Sequence, residues 1–488
     1  MTDQTRVTTR THALPQVPTL PAYRALAERF GADEVYLLES AAGPIRDRRY
    51  QFVGFGVLLS VSVTDGVVRV EGRPELRRLL LERARPLLGA EHADGSFALR
   101  TFADLWPLLR ATQSMFDAQG SPDRFRFGFL GYFGYDTVRY VEELPYLIEE
   151  RPSLPDVQLV LHQGCVVKDL DSERTELLIH ESDAWPALQA QDIASLLARA
   201  GHTHPEPAVD TVPDASVSDD TDVQTFRGDV ERCLKHIALG DIYQVQIGHE
   251  LTIRSEADPV GVYERLRRRN ASPYMYLASV GGQRVIGASP ELFVRIEQGA
   301  VTMRPIAGTL PRTGTDDEAA AKQLSSDPKE IAEHTMLVDL CRNDIGRIAL
   351  ADSLELPDEF VVERYSHVLH LVSTVVGRLD PQKDAFDAIA ALFPAGTMTG
   401  TPKIRAMEII ESIENSRRGL YAGALGLIDV GGYTNLALCI RTLFHHDGTY
   451  RTRASAGIVA DSDPANEWRE TLAKMSAAHW AVTGKELL

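Results

Sequence analysis

The chain has 488 residues, of which 44% are hydrophobic and 25% charged, and a formal net charge of −18. This acidic excess argues against nucleic acid or an anionic membrane as a partner, because both are bound through surplus Lys and Arg. The composition is that of an ordinary globular protein, and the length is enough for two or more domains.

The N-terminal part of the chain mixes strand-like and helix-like stretches. Apolar runs predict strands at 35–40, 50–63 and 157–167, and amphipathic stretches predict helices at 22–30, 74–87 and 186–200. The segment 203–221 is rich in Pro, Asp and Ser and has no aromatic residue. We therefore predict a linker or surface loop there, between a domain at 1–202 and a domain at 222–488.

The C-terminal part continues the mixture. Strands are predicted at 241–253, 274–280, 284–289, 292–297, 367–379, 423–430 and 434–445. Helices are predicted at 223–239, 259–269, 316–324, 328–342, 384–392, 402–413 and 464–483. Strands often follow one another without an intervening helix, which favours an α+β fold with mostly antiparallel sheets and helices packed outside.

Two of the predicted helices carry a pair of glutamates three residues apart after an Asp-Pro step. The pairs are Glu330 and Glu333 in DPKEIAEHTML, and Glu467 and Glu470 in DPANEWRETLAK. This spacing places both carboxylates of a pair on one helix face. Oxygen ligands without His or Cys suit a hard ion such as Mg²⁺. The alternative is two solvated faces, with Glu470 paired to Lys474 at i,i+4.

Two further stretches leave a choice between structure and chemistry. Gly-Thr steps before Pro402, with Lys403 and Arg405 behind them, fit either an anion cradle at a helix start or an ordinary turn. His370 on a valine-rich strand fits either a hydrogen-bonded core residue or a catalyst.

The cysteines and the N-terminal residues indicate the cellular compartment of the protein. The four cysteines are far apart and form no C-x-x-C pair, which fits a reducing compartment. The first residues lack the apolar segment of a signal peptide, and no run approaches the ~18 apolar residues of a membrane span. We expect a cytoplasmic protein.

A series of collinear stretches carries a family resemblance. They are GASPELF (287–293), RPIAGT (304–309), DPKEIAEHTMLVDLCRNDIGR (327–347), SHVLHLVS (366–373), PAGTMTGTPKIRAMEIIE (394–411), YAGALG (421–426), IRT (440–442) and AGIVADSDPANEWRETLAK (456–474). Together they resemble the chorismate-utilising enzymes, most closely component I of anthranilate synthase. The resemblance implies a sandwich-like core of large antiparallel sheets.

The resemblance also implies a reaction, the first step of tryptophan biosynthesis. Chorismate and ammonia would give anthranilate and pyruvate with Mg²⁺ as cofactor. A separate glutaminase subunit would supply the ammonia, in a two-plus-two heterotetramer, because no segment of this sequence is a candidate for the triad-bearing glutaminase domain. The alternatives are an aminodeoxychorismate synthase component I and, from another class, a catalytically silent tryptophan-binding regulator.

The matching positions receive roles by resemblance. Mg²⁺ would be held by Glu330, Glu333, Glu467 and Glu470. Glu291 would be the general acid for the C4 hydroxyl, and His370 would act in proton removal and pyruvate loss, with Gln244, Thr397 and Lys474 completing the catalytic set. The substrate would contact Gly308, Thr309, Tyr421, Arg441, Ser455, Ala456 and Gly457, and Tyr421 and Arg441 would hold its enolpyruvyl carboxylate. Feedback inhibition by tryptophan would use Glu39, Ser40, Pro273, Tyr274 and Met275.

Two positions distinguish the different reactions within this family, and three further positions differ from the family pattern. Ala307 stands where enzymes making aminodeoxychorismate carry a nucleophilic Lys, and Gln244 stands where enzymes that add water carry a Lys base. Both positions favour anthranilate formation. Ser455 replaces a glycine of the family pattern, Thr401 replaces an alanine, and Gly248 replaces a common serine.

Overall fold

The computed structural model describes residues 4–149, 154–202, 212–312, 317–365 and 368–488. Its helices are α1 (Thr19–Phe30), α2 (Pro74–Ala84), α3 (Leu105–Ser114), α4 (Ala190–His202), α5 (Val223–Ala238), α6 (Pro259–Arg269), α7 (Asp317–Ser326), α8 (Pro328–Gly346), α9 (Ala385–Leu392), α10 (Lys403–Ile413) and α11 (Pro464–Thr483).

The strands range from two residues in β20 to fifteen in β3, and many follow one another closely. They are β1 (Thr5–Leu14), β2 (Val35–Glu39), β3 (Tyr50–Thr64), β4 (Val67–Gly72), β5 (Leu88–Glu91), β6 (Phe97–Leu99), β7 (Phe116–Ala118), β8 (Gly128–Phe133), β9 (Val157–Asp169), β10 (Arg174–Glu181), β11 (Ala215–Asp219), β12 (Gln244–Ser255), β13 (Tyr274–Val280), β14 (Gln283–Ser289), β15 (Leu292–Glu297), β16 (Ala300–Met303), β17 (Ile306–Pro311), β18 (Glu355–Arg364), β19 (Val368–Arg378), β20 (Gly400–Thr401), β21 (Ala424–Asp429), β22 (Thr434–Leu438), β23 (Thr442–His446) and β24 (Thr449–Ile458).

Most strands join one long antiparallel ladder that passes through both halves of the chain. The N-terminal strand β2 pairs with β13, and β8 pairs with β21. The main ladder runs in the order β11, β12, β24, β23, β14, β13, β2, β3, β9, β8, β21, β22, β15, β16 and β19. Antiparallel neighbours need only short connections, which explains why strand follows strand without an intervening helix.

The ladder folds back so that its two arms share a buried apolar layer. Tyr276 on β13 and Leu427 on β21 lie in one buried cluster with Tyr36 and Phe52 of the N-terminal strands. Helices α2, α3, α8 and α9 pack on one outer face, and α1, α4, α6 and α11 pack on the other. Strands covered on both faces read as long apolar runs, as β3 does. The α+β class and the sandwich-like core with outer helices are confirmed.

The structure differs from the sequence prediction in the linker at 203–221. Residues 215–219 form β11, which pairs with β12 and places Ala215 opposite Ser255. The polar composition correctly predicts exposure, but an edge strand satisfies its backbone through one neighbour and needs little apolar surface. Residues 203–211 of the predicted linker lie outside the described part of the chain.

A second difference concerns the strand predicted at 434–445. It is two strands, β22 and β23, and the break between them contains Arg441 with a φ of +53°. This break directs Arg441 into the cavity described below. Within the described ranges, no helix combines the length and the apolar character needed to cross a membrane.

Candidate active site

Helix α8 brings its first glutamate against a glycine of β17. Glu330 lies in the first turn of α8, which packs against β17 and β19. Gly308 has a φ of +59°, and a Cβ at this position would lie 2.8 Å from Oε2 of Glu330. Glycine is therefore required both by the backbone conformation and by the close carboxylate. Glu333 follows on the same helix and is also partly exposed. The side chain of Thr309 is outside the description, so its substrate contact stays a prediction.

Helix α11 presents the second glutamate pair. Asp463 caps this helix through its side chain and places Glu467 in the first turn. Oε1 of Glu470 lies 2.7 Å from Nζ of Lys474, so the ion pair suggested by the spacing is present. The same Nζ donates to the carbonyl oxygen of Ser455 at 2.8 Å. Lys474 thus ties the acidic face of α11 to strand β24.

The four glutamates provide an oxygen-only donor set, which fits Mg²⁺. Among the described residues, the one group of three or more acidic, His or Cys ligand atoms within 4.8 Å of one another is Asp219, Asp220 and His249. His249 is hydrogen-bonded to Asp219 and Thr471, which is a structural arrangement. This group does not include the four glutamates, and Mg²⁺ binding by them stays a prediction from the sequence.

His370 is held in one tautomer beside Gly308. Its Nδ1 lies 3.1 Å from the carbonyl oxygen of Gly308, so Nδ1 carries the proton and Nε2 the lone pair. Burial, with a smaller contribution from the charge of Arg441, lowers the pKa of His370 to about 4, and the hydrogen bond to Gly308 opposes this shift. The imidazole is therefore neutral at pH 7.

Arg441 and His370 line a cavity of about 720 Å³. Burial lowers the pKa of the Arg441 guanidinium, while Tyr421 and Glu470 raise it. The Tyr421 hydroxyl lies 2.6 Å from Oγ of Ser455 and accepts the Ser455 N–H at 2.9 Å. Tyr421 lies near enough to Arg441 to affect its pKa, and Ser455 engages the tyrosine hydroxyl directly. The joint contact of Tyr421 and Arg441 with a substrate carboxylate stays a prediction.

A buried acid lies between β14 and β15. Oε1 of Glu291 accepts a hydrogen bond from Oγ1 of Thr397 at 3.0 Å. Burial raises the pKa of Glu291 to about 7, against the lowering effects of the Thr397 hydrogen bond and the charge of Lys474. A carboxyl with this pKa is substantially protonated at neutral pH. The three residues were predicted from separate stretches of sequence, and the fold brings them together.

Gln244 and Thr401 face each other across strands β12 and β20. Gln244 is 2% exposed, and both its Oε1 and the Oγ1 of Thr401 are buried without a hydrogen-bond partner. A Cβ at Gly457 would lie 2.9 Å from Nε2 of Gln244. The amide thus covers Gly457, next to Ala456 in the predicted substrate cradle.

The two cations behind Pro402 do not form the anion cradle that the sequence suggested. Nζ of Lys403 donates to Asp344 at 2.7 Å. The guanidinium of Arg405 donates to Glu408 at 2.7 Å. Lys403 is therefore paired with a residue of α8 and Arg405 with a residue of α10, and the structural alternative is correct for these side chains.

The sequence analysis missed a buried ionic cluster beside the site. The Glu414 carboxylate pairs with Arg418 at 2.8 Å and with Arg453 at 3.0 Å. Arg418 also donates to the carbonyl oxygens of Met398 and Gln246, at 2.7 and 2.8 Å. The cluster fixes the backbone of both chain segments at one end of the Gln244–Thr401 pair. No motif marks it, because ordinary Glu and Arg residues become a cluster only when the strands assemble.

A second, smaller cavity contains the predicted tryptophan residues. Its volume is about 50 Å³, and its lining includes Glu39, Ser40, Pro273, Tyr274 and Met275. The Glu39 carboxylate accepts hydrogen bonds from Thr19, from Tyr263 at 2.6 Å and from Arg267 at 2.9 Å. The five residues share a site, but the space holds a few waters rather than an indole ring.

Fold and site together define a class of protein. A cavity lined by Arg441 and His370, a buried carboxyl at Glu291 and the paired hydroxyls of Tyr421 and Ser455 are features of a binding site for a small polar substrate. The family model described as chorismate binding enzyme matches residues 85–479, and the chain belongs to this family.

Three relatives refine the comparison. The chain is 70% identical over 495 residues, with 100% of both chains covered, to 2-amino-4-deoxychorismate synthase of Streptomyces globisporus. It is 42% identical over 380 residues to anthranilate synthase component 1 of Streptomyces coelicolor, with 74% of each chain covered. The crystal structure of anthranilate synthase component I from Streptococcus pneumoniae TIGR4 is 30% identical, with a TM-score of 0.70 over 88% of this chain and 92% of that one.

The comparison corrects one prediction from the sequence. The reading as anthranilate synthase component I is wrong, because the full-length relative at 70% identity is a 2-amino-4-deoxychorismate synthase. The aminodeoxychorismate synthase alternative has the better support. The collinear motifs are shared by enzymes with both products, so they identify the family and not the product.

Proposed function

We propose that the protein converts chorismate and ammonia to 2-amino-4-deoxychorismate and water. The observation that carries this proposal is the 70% identity, over the whole of both chains, to the Streptomyces globisporus protein of that name. That name places nitrogen on C2 and removes the oxygen from C4. Ammonia that attacks C2 directly requires no lysine nucleophile. The alanine at position 307 is therefore compatible with an aminodeoxychorismate product, contrary to the interpretation from the sequence.

The chemistry of this step balances without a further reactant. The nitrogen lone pair forms the C2–N bond, the two ring double bonds shift, and the C4–O bond breaks. The leaving oxygen takes a proton from Glu291, whose pKa near 7 keeps the acid form available. The new ammonium centre then loses a proton. Overall, one ammonia is consumed and one water is released. The enolpyruvyl ether on C3 is retained.

Mg²⁺ is proposed as the cofactor, held by Glu330, Glu333, Glu467 and Glu470. A divalent ion there would neutralise and orient the ring carboxylate of the substrate. Glu330 already packs against the backbone of Gly308, and Glu470 is oriented by Lys474. These contacts hold one carboxylate from each pair in place before any ligand binds.

Replacing Glu470 by Gln is expected to raise the Mg²⁺ concentration for half-maximal turnover by about 10- to 100-fold, because one anionic ligand is lost. Calorimetric titration with Mg²⁺ in the absence of substrate provides a second readout. Glu82→Gln is the matched control, since Glu82 forms an i,i+4 ion pair with Arg78 on α2. Equal Mg²⁺ affinity in the Glu470 variant and the control would remove Glu470 from the ligand set.

Ammonia is proposed to come from glutamine through a separate glutaminase subunit in a two-plus-two assembly. The assay of the isolated chain therefore uses an ammonium salt as nitrogen source. Chorismate, Mg²⁺ and ammonium should give a product lighter than chorismate by the difference between water and ammonia, without release of pyruvate. Pyruvate and anthranilate formed in step with chorismate consumption would refute the proposed product.

Regulation by tryptophan stays a proposal for the smaller cavity, whose walls would have to move apart to admit an indole ring, since its volume is about 50 Å³. Ser40 donates to the carbonyl oxygens of Asp47 and Tyr50, at 3.2 and 3.4 Å, so its side chain lies at the cavity wall. Ser40→Phe is expected to abolish inhibition by tryptophan and to leave uninhibited turnover within about twofold, because the cavity is separate from the catalytic groups. Initial rates over a tryptophan series measure both quantities. Inhibition that persists in the variant would place the inhibitor elsewhere.

A further inference from the structure

We propose that the Thr401 hydroxyl and the Gln244 amide oxygen form the site that holds ammonia for attack on C2. The inference rests on the proposed function and assigns Thr401 as a positioning residue for the nucleophile. By the family resemblance, Thr401 stands at a position where the pattern has alanine.

Two buried side-chain oxygens in neighbouring positions lack a hydrogen-bond partner in the protein. Oε1 of Gln244 and Oγ1 of Thr401 are both buried and unpaired, and the two residues are direct cross-strand neighbours on β12 and β20. Burying a polar atom without a hydrogen bond is costly, and such atoms usually meet a ligand or an ordered water. Directly opposed residues have Cβ atoms about 5 Å apart, close enough for one small molecule to contact both side chains.

Both oxygens can accept hydrogen bonds, as a site for ammonia requires. Ammonia attacks through its lone pair, so a site that orients it must accept hydrogen bonds from its N–H groups. An amide oxygen can only accept, and a hydroxyl oxygen accepts while directing its own proton elsewhere. A lysine at position 244 would offer donors, which would bind the lone pair of ammonia. The pair therefore suits ammonia, and it lacks a base to activate water.

Gln244 and Thr401 also lie beside other predicted site residues, on backbone that is held by hydrogen bonds. The amide of Gln244 lies against Gly457 in the proposed substrate cradle. Thr401 follows the turn that carries Thr397, the partner of Glu291. The guanidinium of Arg418 holds the carbonyl oxygens of Met398 and Gln246, one in each of the two chain segments, at one end of the pair. The acceptors are thus fixed between the general acid and the substrate cradle.

The test varies ammonium at saturating chorismate and fixed pH. Thr401→Val keeps the side-chain volume and removes the hydroxyl. Because one hydrogen bond to ammonia is lost, the KM for ammonia should rise about three- to tenfold. The KM for chorismate should stay within about twofold. Thr401→Ser retains the hydroxyl and should restore the KM for ammonia. Because the hydroxyl has no protein partner, the midpoint of thermal unfolding should not fall in Thr401→Val.

Thr434→Val is the matched control. Thr434 is also buried with an unpaired Oγ1, but it lies on β22, remote from Gln244. It should leave both KM values unchanged. An unchanged KM for ammonia in Thr401→Val, with an active wild type, overturns this inference alone. A wild-type protein that forms no aminated product overturns the proposed function instead.

Discussion

Glu291→Gln should lower kcat for chorismate amination by about 10²- to 10⁴-fold, the range expected for loss of a general acid. The departing group is hydroxide, which leaves readily only as water. The amide of glutamine can accept the 3.0 Å hydrogen bond from Thr397 as the carboxyl does, but it cannot transfer a proton. The substitution therefore removes the acid while preserving the local packing. Steady-state rates with ammonium and chorismate measure the effect.

The pH dependence of the wild type follows from the same residue. Because burial raises the pKa of Glu291 to about 7, its acid form is present below pH 7 and is lost as the pH rises through 7. We expect kcat to fall tenfold for each pH unit well above this value, when ammonia itself is held at constant concentration. A flat alkaline limb up to pH 9 would contradict a general-acid role for Glu291.

Stability provides the control for Glu291→Gln. A carboxyl whose pKa is raised in the folded state stabilises the fold fully below its unfolded pKa, and that contribution is lost as the pH rises toward 7. The neutral amide carries no such pH dependence. At pH 8 the variant should unfold at a temperature equal to or above that of the wild type. A lower unfolding temperature would attribute the lost activity to misfolding.

The sequence was most informative where chemistry and periodicity coincide. The glutamate pairs on α8 and α11, the buried acid Glu291 and the tautomer-fixed His370 all lie within motifs that could be read directly. The α+β class followed from strands that succeed one another. Local patterns of this kind depend on residues close in sequence, which a single sequence displays.

Features that depend on distant residues could not be read in this way. The Glu414–Arg418–Arg453 cluster forms only when α10 and β24 meet, and β11 forms because β12 offers an open edge. The product was the other failure. Ala307 and Gln244 argue against a lysine nucleophile and a water-activating base, but neither residue reports whether the enolpyruvyl group leaves after ammonia has added.

Ser455 is the residue that we connect with this difference in product. A tyrosine hydroxyl has one proton to donate. In this protein the Tyr421 hydroxyl already accepts the Ser455 N–H and lies 2.6 Å from the Ser455 hydroxyl, which can take that proton. A Tyr421 proton used in this way is not available to the enolpyruvyl carboxylate. Loss of pyruvate places negative charge on the departing enolpyruvyl group, so it is slowed when a donor there is withdrawn.

Ser455→Gly is therefore expected to add pyruvate release to the reaction. We expect the ratio of pyruvate formed to chorismate consumed to rise about 100-fold, the scale expected when one oriented donor is gained. Anthranilate fluorescence and a lactate dehydrogenase assay measure the two products. Because Ser455 contributes its N–H and carbonyl through the backbone, the bonds to Tyr421 and Lys474 should survive the substitution.

Ser455→Ala separates the hydroxyl from the bulk of the side chain. If the hydroxyl withdraws the Tyr421 proton, the alanine variant should release pyruvate nearly as well as the glycine variant. If the Cβ restricts the substrate instead, only the glycine variant should do so. Tyr421→Phe in the Ser455→Gly background should suppress the new pyruvate release, since it deletes the donor. Ser455→Gly and Ser455→Ala variants that still aminate chorismate, yet release no more pyruvate than the wild type, would show that product choice resides elsewhere in the site.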